Sequence, residues 1–236
     1  MKSEYRKAVK DESLRQKFLD KFFIKNKIKT IPGIVYDDDY TKSFGFFDKQ
    51  VEKGRMRKRD IKSLKESLKS KDELHALAFF ARGAMGRGSN NPVFVRPEMF
   101  LFSYEDFVSI VADHEYIHVK NAQQGIKLKE GFEISYLNSD HFNDDIILKI
   151  DESIAYCNQL SKAIEKKNFS SMIKDSLEIL EDINLKFKRK RKFESIGEET
   201  AVKIQTERND LIIDKFSGVK FRKNSKWNLE NLKSRI

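Results

Sequence analysis

The 236-residue chain has little of what commonly staples, bends or interrupts a fold. It contains one cysteine, Cys157, three prolines, ten glycines and four histidines. A single cysteine excludes an internal disulfide framework and a cysteine-rich zinc module, and it fits a reducing compartment. The scarcity of proline and glycine argues against a linker-rich or disordered chain. No apolar run approaches the roughly 18 residues that a membrane-spanning helix needs. The opening stretch, MKSEYRKAVKDESLRQKFLDKFF, is broken by charge throughout and has no secretory apolar core. The expectation is a cytoplasmic protein that makes no membrane contact.

What the chain does have is charge and phenylalanine. Charged residues make up 36% against 39% hydrophobic, the net charge is +10, and 19 phenylalanines supply large apolar side chains for a core. Two readings of the positive charge stand side by side. One is a solvated, lysine-rich surface. The other is a surface for nucleic acid, since clustered cations displace counterions from phosphates. The densest cluster, KFKRKRK at Lys186 to Lys192, falls at the end of a predicted helix, where cations also complement the helix dipole.

Along the chain, Leu14, Phe18, Leu19, Phe22 and Phe23 recur at helical spacing. Pro32-Gly33 signals a turn, Ile34 to Tyr36 a short strand, and Asp37 to Asp39 a solvated loop. The pattern Ile61, Leu64, Leu68, Leu74, Leu77, Phe80 predicts a helix over 57–82. ARGAMGRGSNNP then breaks it without matching either phosphate-binding glycine motif, so an ordinary connection is expected. Val93-Phe94-Val95, set between Pro92 and Pro97, reads as an edge strand. Ser103 suits a helix N-cap, with Asp106 three residues on where a capping box prefers Glu. The helix so begun should run from about Tyr104 to Gln124, with Gly125 just past its end. GFEISYL at 131–137 is a strand or loop. A second helix starts near Asp144 or Asp145, and a third covers about 170–190 after a break at Asn168-Phe169-Ser170. GEETAVKIQTERNDLIID resists placement.

Within the helix over 104–124 lies HEYIH. On a helix, residues i and i+4 project from one face, so His114 and His118 present two imidazoles at a separation that one metal ion bridges. Glu115 is rotated round the helix, in reach of a water on that ion without ligating it. This is the H-E-x-x-H arrangement of zinc peptidases. Zinc there needs one more protein ligand and a position open to water. The pKa of that water falls to about 7, and Glu115 would accept its proton and later deliver one to the leaving amine.

FVSIVADHEYIHVKNA followed by DESIAYCNQL resembles the zincin metallopeptidases, specifically the branch whose third ligand is a glutamate on the next core helix. The resemblance runs from Val93 to Leu160. It implies an α+β, mainly helical domain with a small sheet whose edge strand lies above the HExxH helix, where an extended peptide adds alongside. It implies Glu152 as third ligand, with Ala155 as the small residue three positions on that lets the two helices approach. The histidine that would continue a metzincin motif is missing from VKNAQQGIKLK. Tyr156 stands where the best-known form of the family has an acid that orients a ligand histidine. Asp113 or a backbone carbonyl is the alternative partner.

Other candidates remain open on sequence. His141 is a loop ligand, an oxyanion donor or a surface residue. Asp151 is an acid supporting the site or a helix N-terminal acid. Asp144 and Asp145 read as helix N-terminal acids. Tyr136 and Tyr156 are oxyanion donors or packing residues, and His75 is structural. The expected organisation is a zincin-like domain over 1–168 and a basic helical extension over 169–236. The expected function is a zinc peptidase that acts on a peptide or protein, with Zn2+ held by His114, His118 and Glu152 and Glu115 as general base. The rival is a basic nucleic-acid-binding protein with a structural or vestigial metal site.

Overall fold

The computed structural model describes residues 1–28, 34–35, 48–49, 51–52, 78–80, 93–129, 131–134 and 144–222. These fall into two units, Met1–Val119 and Lys120–Ile236.

In the first unit the N-terminal pattern resolves into two helices, α1 (Lys2–Lys10) and α2 (Arg15–Lys25). The break falls at Asp11, whose side chain accepts the Ser13 amide at 3.0 Å and opens a 3-10 turn over Glu12–Leu14. An aspartate at such a corner offers the backbone a local partner that helix continuation would not. Phe18, Leu19, Phe22 and Phe23 are buried, as their spacing predicts. Phe18 meets Tyr5 of α1 together with Phe100 and Phe107. The rings of Phe18, Phe22 and Phe107 pack edge-on or tilted, with centroids 5.1 to 5.8 Å apart. The Tyr5 hydroxyl reaches the carbonyls of Met99 and Phe102 at 2.9 and 3.0 Å, so this buried phenol keeps its polar end satisfied. Burial holds its pKa above the usual tyrosine range.

The sheet of this unit has β1 (Ile34–Val35), β2 (Ala78–Phe80) and β3 (Val93–Val95) in the order β1-β3-β2. β1 runs parallel to β3 and β2 antiparallel, with Phe94 opposite both Ile34 and Phe79. Two expectations change. Val93–Val95 is the middle strand among the described residues, not an edge. Pro92 and Pro97 lie just outside it, so all three of its amides remain able to pair, and its side chains are fully buried. Ala78–Phe80 belongs to a strand rather than to the end of a helix over 57–82. A short apolar run such as LAFF carries no period of its own, and pairing with β3 decides it. Residues 57–77 of that predicted helix lie outside the described residues.

A 3-10 turn over Pro97–Leu101 leads to Ser103. The next helix begins as α3 (Tyr104–Val108), passes through a π-helical segment over Ser109–Glu115, and ends as α4 (Tyr116–Gln124). Its ends match expectation. The Asp106 amide donates to Ser103 Oγ at 3.0 Å, and the Ser103 hydroxyl donates to Asp106 Oδ2 at 2.8 Å. Asp106 thus accepts from the cap's hydroxyl, where the glutamate of a capping box accepts from the cap's backbone N–H. Gly125 takes a left-handed φ of +81° at the C-terminal end.

In the second unit a hairpin of β4 (Ile126–Lys129) and β5 (Phe132–Ile134) precedes three helices that pack on one another. These are α5 (Asp144–Glu165), α6 (Ser171–Arg189) and α7 (Ile196–Asp214). Serines cap α6 and α7: Ser170 accepts from the Ile173 amide and Ser195 from the Glu198 amide. The core contains Cys157, Leu160, Ile173, Leu177, Leu180 and Ile212. Beside it runs a buried polar seam. Asn209 Oδ1 accepts from Ser153 at 2.7 Å and from Gln205 at 2.8 Å, and the Asn209 amide donates to Asn184 at 3.3 Å. The residue-168 boundary expected from sequence falls between α5 and α6. The described residues are mostly helical with small sheets, an α+β composition. Among them no helix is long and apolar enough to cross a membrane.

Candidate metal site

The first unit brings His114, Glu115 and His118 together. Their potential ligand atoms all lie within 4.8 Å of one another, and among the described residues this is the group with metal-holding composition. All three side chains are buried, at 7, 6 and 3% exposure. A carboxylate and two imidazoles taken out of water require compensating partners.

His118 Nε2 stands 3.2 Å from His114 Nε2, with the rings nearly perpendicular and their centroids 4.9 Å apart. Two imidazole nitrogens bound to one tetrahedral zinc at 2.0–2.1 Å would be about 3.3 Å apart. The pair therefore has the spacing of two ligands on one ion. A direct hydrogen bond between the rings, one nitrogen donating and the other accepting, gives a similar distance. Glu115 Oε1 is 4.0 Å from His114 Nε2. That exceeds the separation of co-ligands and suits a group that touches a water beside the ion rather than the ion itself. The donor set, two neutral-capable imidazoles and one adjacent carboxylate, is chemically apt for zinc.

The local sequence explains this placement. Ser103 fixes the start of the helix, Phe107 and Val111 bury one face of it, and β2 and β3 run close to the π-helical segment that carries His114 and Glu115. His118 follows one turn on, in α4.

The other predicted residues sort as follows. Glu152 lies half-buried on α5 in the second unit, and Ala155, one turn on, is fully buried. Tyr156 is half-buried on the same helix. Asp145 forms a surface ion pair with Lys149, in keeping with a helix N-terminal acid. Asp113 is half-buried inside the π-helical segment. His75, Tyr136, His141, the Asp37–Asp39 run and the glycine-rich stretch at 83–91 lie outside the described residues.

Within the second unit, Asn121 is a residue that the sequence reading passed over, and it partners Asp151. Asp151 is fully buried, and Asn121 Nδ2 donates to its Oδ1 at 2.6 Å. Asn121 lies one turn after His118, and Asp151 immediately precedes Glu152. The signal for this bond was the i+3 spacing of Asn121 from His118, which nothing local distinguishes from a surface asparagine.

Comparison with known proteins returned no match: no family model, no curated protein and no solved structure resembles this chain closely enough to count.

Proposed function

We propose that this chain is a zinc-dependent peptidase of the HExxH type, with His114, His118 and Glu152 as ligands and Glu115 as general base. The observation that carries the reading is the 3.2 Å approach of two buried imidazole nitrogens with a buried carboxylate alongside. Zinc at this place would supply Lewis-acid polarisation of a carbonyl and a lowered pKa for water. The chain's own residues do the rest. Glu115 Oε1 takes the proton of the attacking water and passes it to the departing amine nitrogen. Burial of Glu115 and both histidines keeps bulk water from competing with that transfer.

Glu152 as third ligand rests on the resemblance to the glutamate-liganded zincins; within the second unit, Asn121 donates to Asp151, the residue before it. Ala155, small and fully buried, is the residue that the resemblance expects three positions on. β2, one of the two outer strands of the described sheet and close to the π-helical segment, suits pairing with an extended peptide, so a peptide or protein is the substrate class. The lone cysteine and the charged surface fit a cytoplasmic setting.

The test is Glu115→Gln. The variant should retain zinc and lose peptide hydrolysis by about 100-fold or more. Full hydrolysis by that variant would refute the assignment of the base.

A second reading rests on a separate observation. Of the cations at the end of α6, Lys186, Lys188 and Lys190 pair with Asp182, Asp210 and Glu198. Arg189, Arg191 and Lys192 are exposed and engage no carboxylate among the described residues. Three such charges suit phosphates of nucleic acid.

A further inference from the structure

In a straight α-helix the spacing of Phe107, Val111, His114 and His118 would set all four on one face. His118 would lie about 20° from the direction of Phe107, and Val119 about 120° away. Phe107 and Val111 are fully buried, so the imidazoles would share the face that those side chains bury. The helix is not straight in this sense. Ser109–Glu115 is π-helical, and each backbone bond of that form spans one more residue than an α-helical bond. One extra residue retards everything downstream by about 100°. Val119 then falls about 20° from Phe107, and His118 about 80° to the side. Val119 is fully buried together with Phe107 and Val111, while His114 and His118 are buried at 7 and 3% exposure.

We infer that the π-helical segment is a positioning device: it rotates the helix so that Phe107, Val111 and Val119 hold the core while His114 and His118 face the site. This rests on the metal-site reading above. Ala112, at the centre of the segment, puts no bulky side chain at the middle of the wider turn. A π-helical stretch is uncommon, and its persistence beside a buried polar cluster fits a functional constraint.

The experiment deletes Ala112, which leaves the HExxH spacing and every site side chain intact. Circular dichroism should report retained helix, while zinc affinity, measured by competition with a chromophoric chelator, should fall at least about tenfold. Inserting an alanine between Ser109 and Ile110 of that variant restores the residue count and should restore the affinity. Wild-type affinity in the deletion variant would overturn the inference, as would failure of the insertion to recover it in a folded protein. Should the deletion variant not fold, a crystal structure of the zinc-loaded wild type decides. Bonds spanning five residues over Ser109–Glu115 are expected, and a straight α-helix there would overturn the proposal. Absence of zinc from the wild type would instead contradict the peptidase reading.

Discussion

At the scale of single residues, chemistry follows from neighbours. His114 and His118 were legible because i and i+4 on any helix meet, whatever the tertiary fold. Asn121 was not legible, because its meaning comes from a partner thirty residues away on another helix. Its amide meets a fully buried carboxylate, and a bond of that kind contributes about 1.5–3 kcal/mol. Asn121→Ala should therefore lower unfolding free energy in urea by about that amount, and it should weaken zinc binding if Glu152 is a ligand. Cys157 offers a second check. Burial pushes its thiol up to about 11. The unfolded chain loses this proton first, so the group's contribution to stability is whole below about pH 9 and disappears as pH climbs towards 11. Urea denaturation across that window should show the loss. Alkylation of the folded protein at pH 8 should be at least about tenfold slower than that of the unfolded chain.

At the scale of elements, boundaries were easier to read than internal form. Ser103 and Gly125 marked both ends of the HExxH helix because capping and left-handed φ are local demands. Ser103→Ala should cost about 1 kcal/mol in a denaturation experiment. Gly125→Ala should cost about 1 kcal/mol or more, since a Cβ there meets Glu133 Oε1 at 2.5 Å and φ is +81°. The π-helical segment between those ends carried a fainter signal: Val119 aligns with Phe107 only after a phase change. The helix α7 escaped for a different reason. It turns Gln205 and Asn209 inward, both fully buried, and leaves Leu211 and Ile196 at 65 and 84% exposure. Periodicity of apolar residues cannot find a helix whose inner face is partly amide. The β3 strand shows the same limit in the sheet. Its flanking prolines pointed to an edge, but only residues within a strand must donate, and neither proline is within it.

At the scale of the whole molecule the net charge is +10, and among the described residues the cations at the end of α6 divide into paired and unpaired. Exposed pairs such as Lys186–Asp182 contribute little to stability, so the paired lysines require no partner outside the chain. The trio without a carboxylate partner among the described residues sets a quantitative expectation for the second reading. Duplex binding through Arg189, Arg191 and Lys192 should follow salt with a log–log slope of roughly −3, and changing all three to glutamate should abolish it. A salt-independent or undetectable association would leave the cluster as solvated surface. Glu115→Gln should leave any such binding unchanged, which separates the two activities.

The most direct test of the central claim is a crystal structure of the zinc-loaded protein with anomalous data collected at the zinc edge. One peak is predicted, about 2.0–2.2 Å from His114 Nε2, His118 Nε2 and a Glu152 oxygen, with the remaining position held by solvent. A zinc ion closed off by a fourth protein ligand, or one bound without Glu152, would contradict the account.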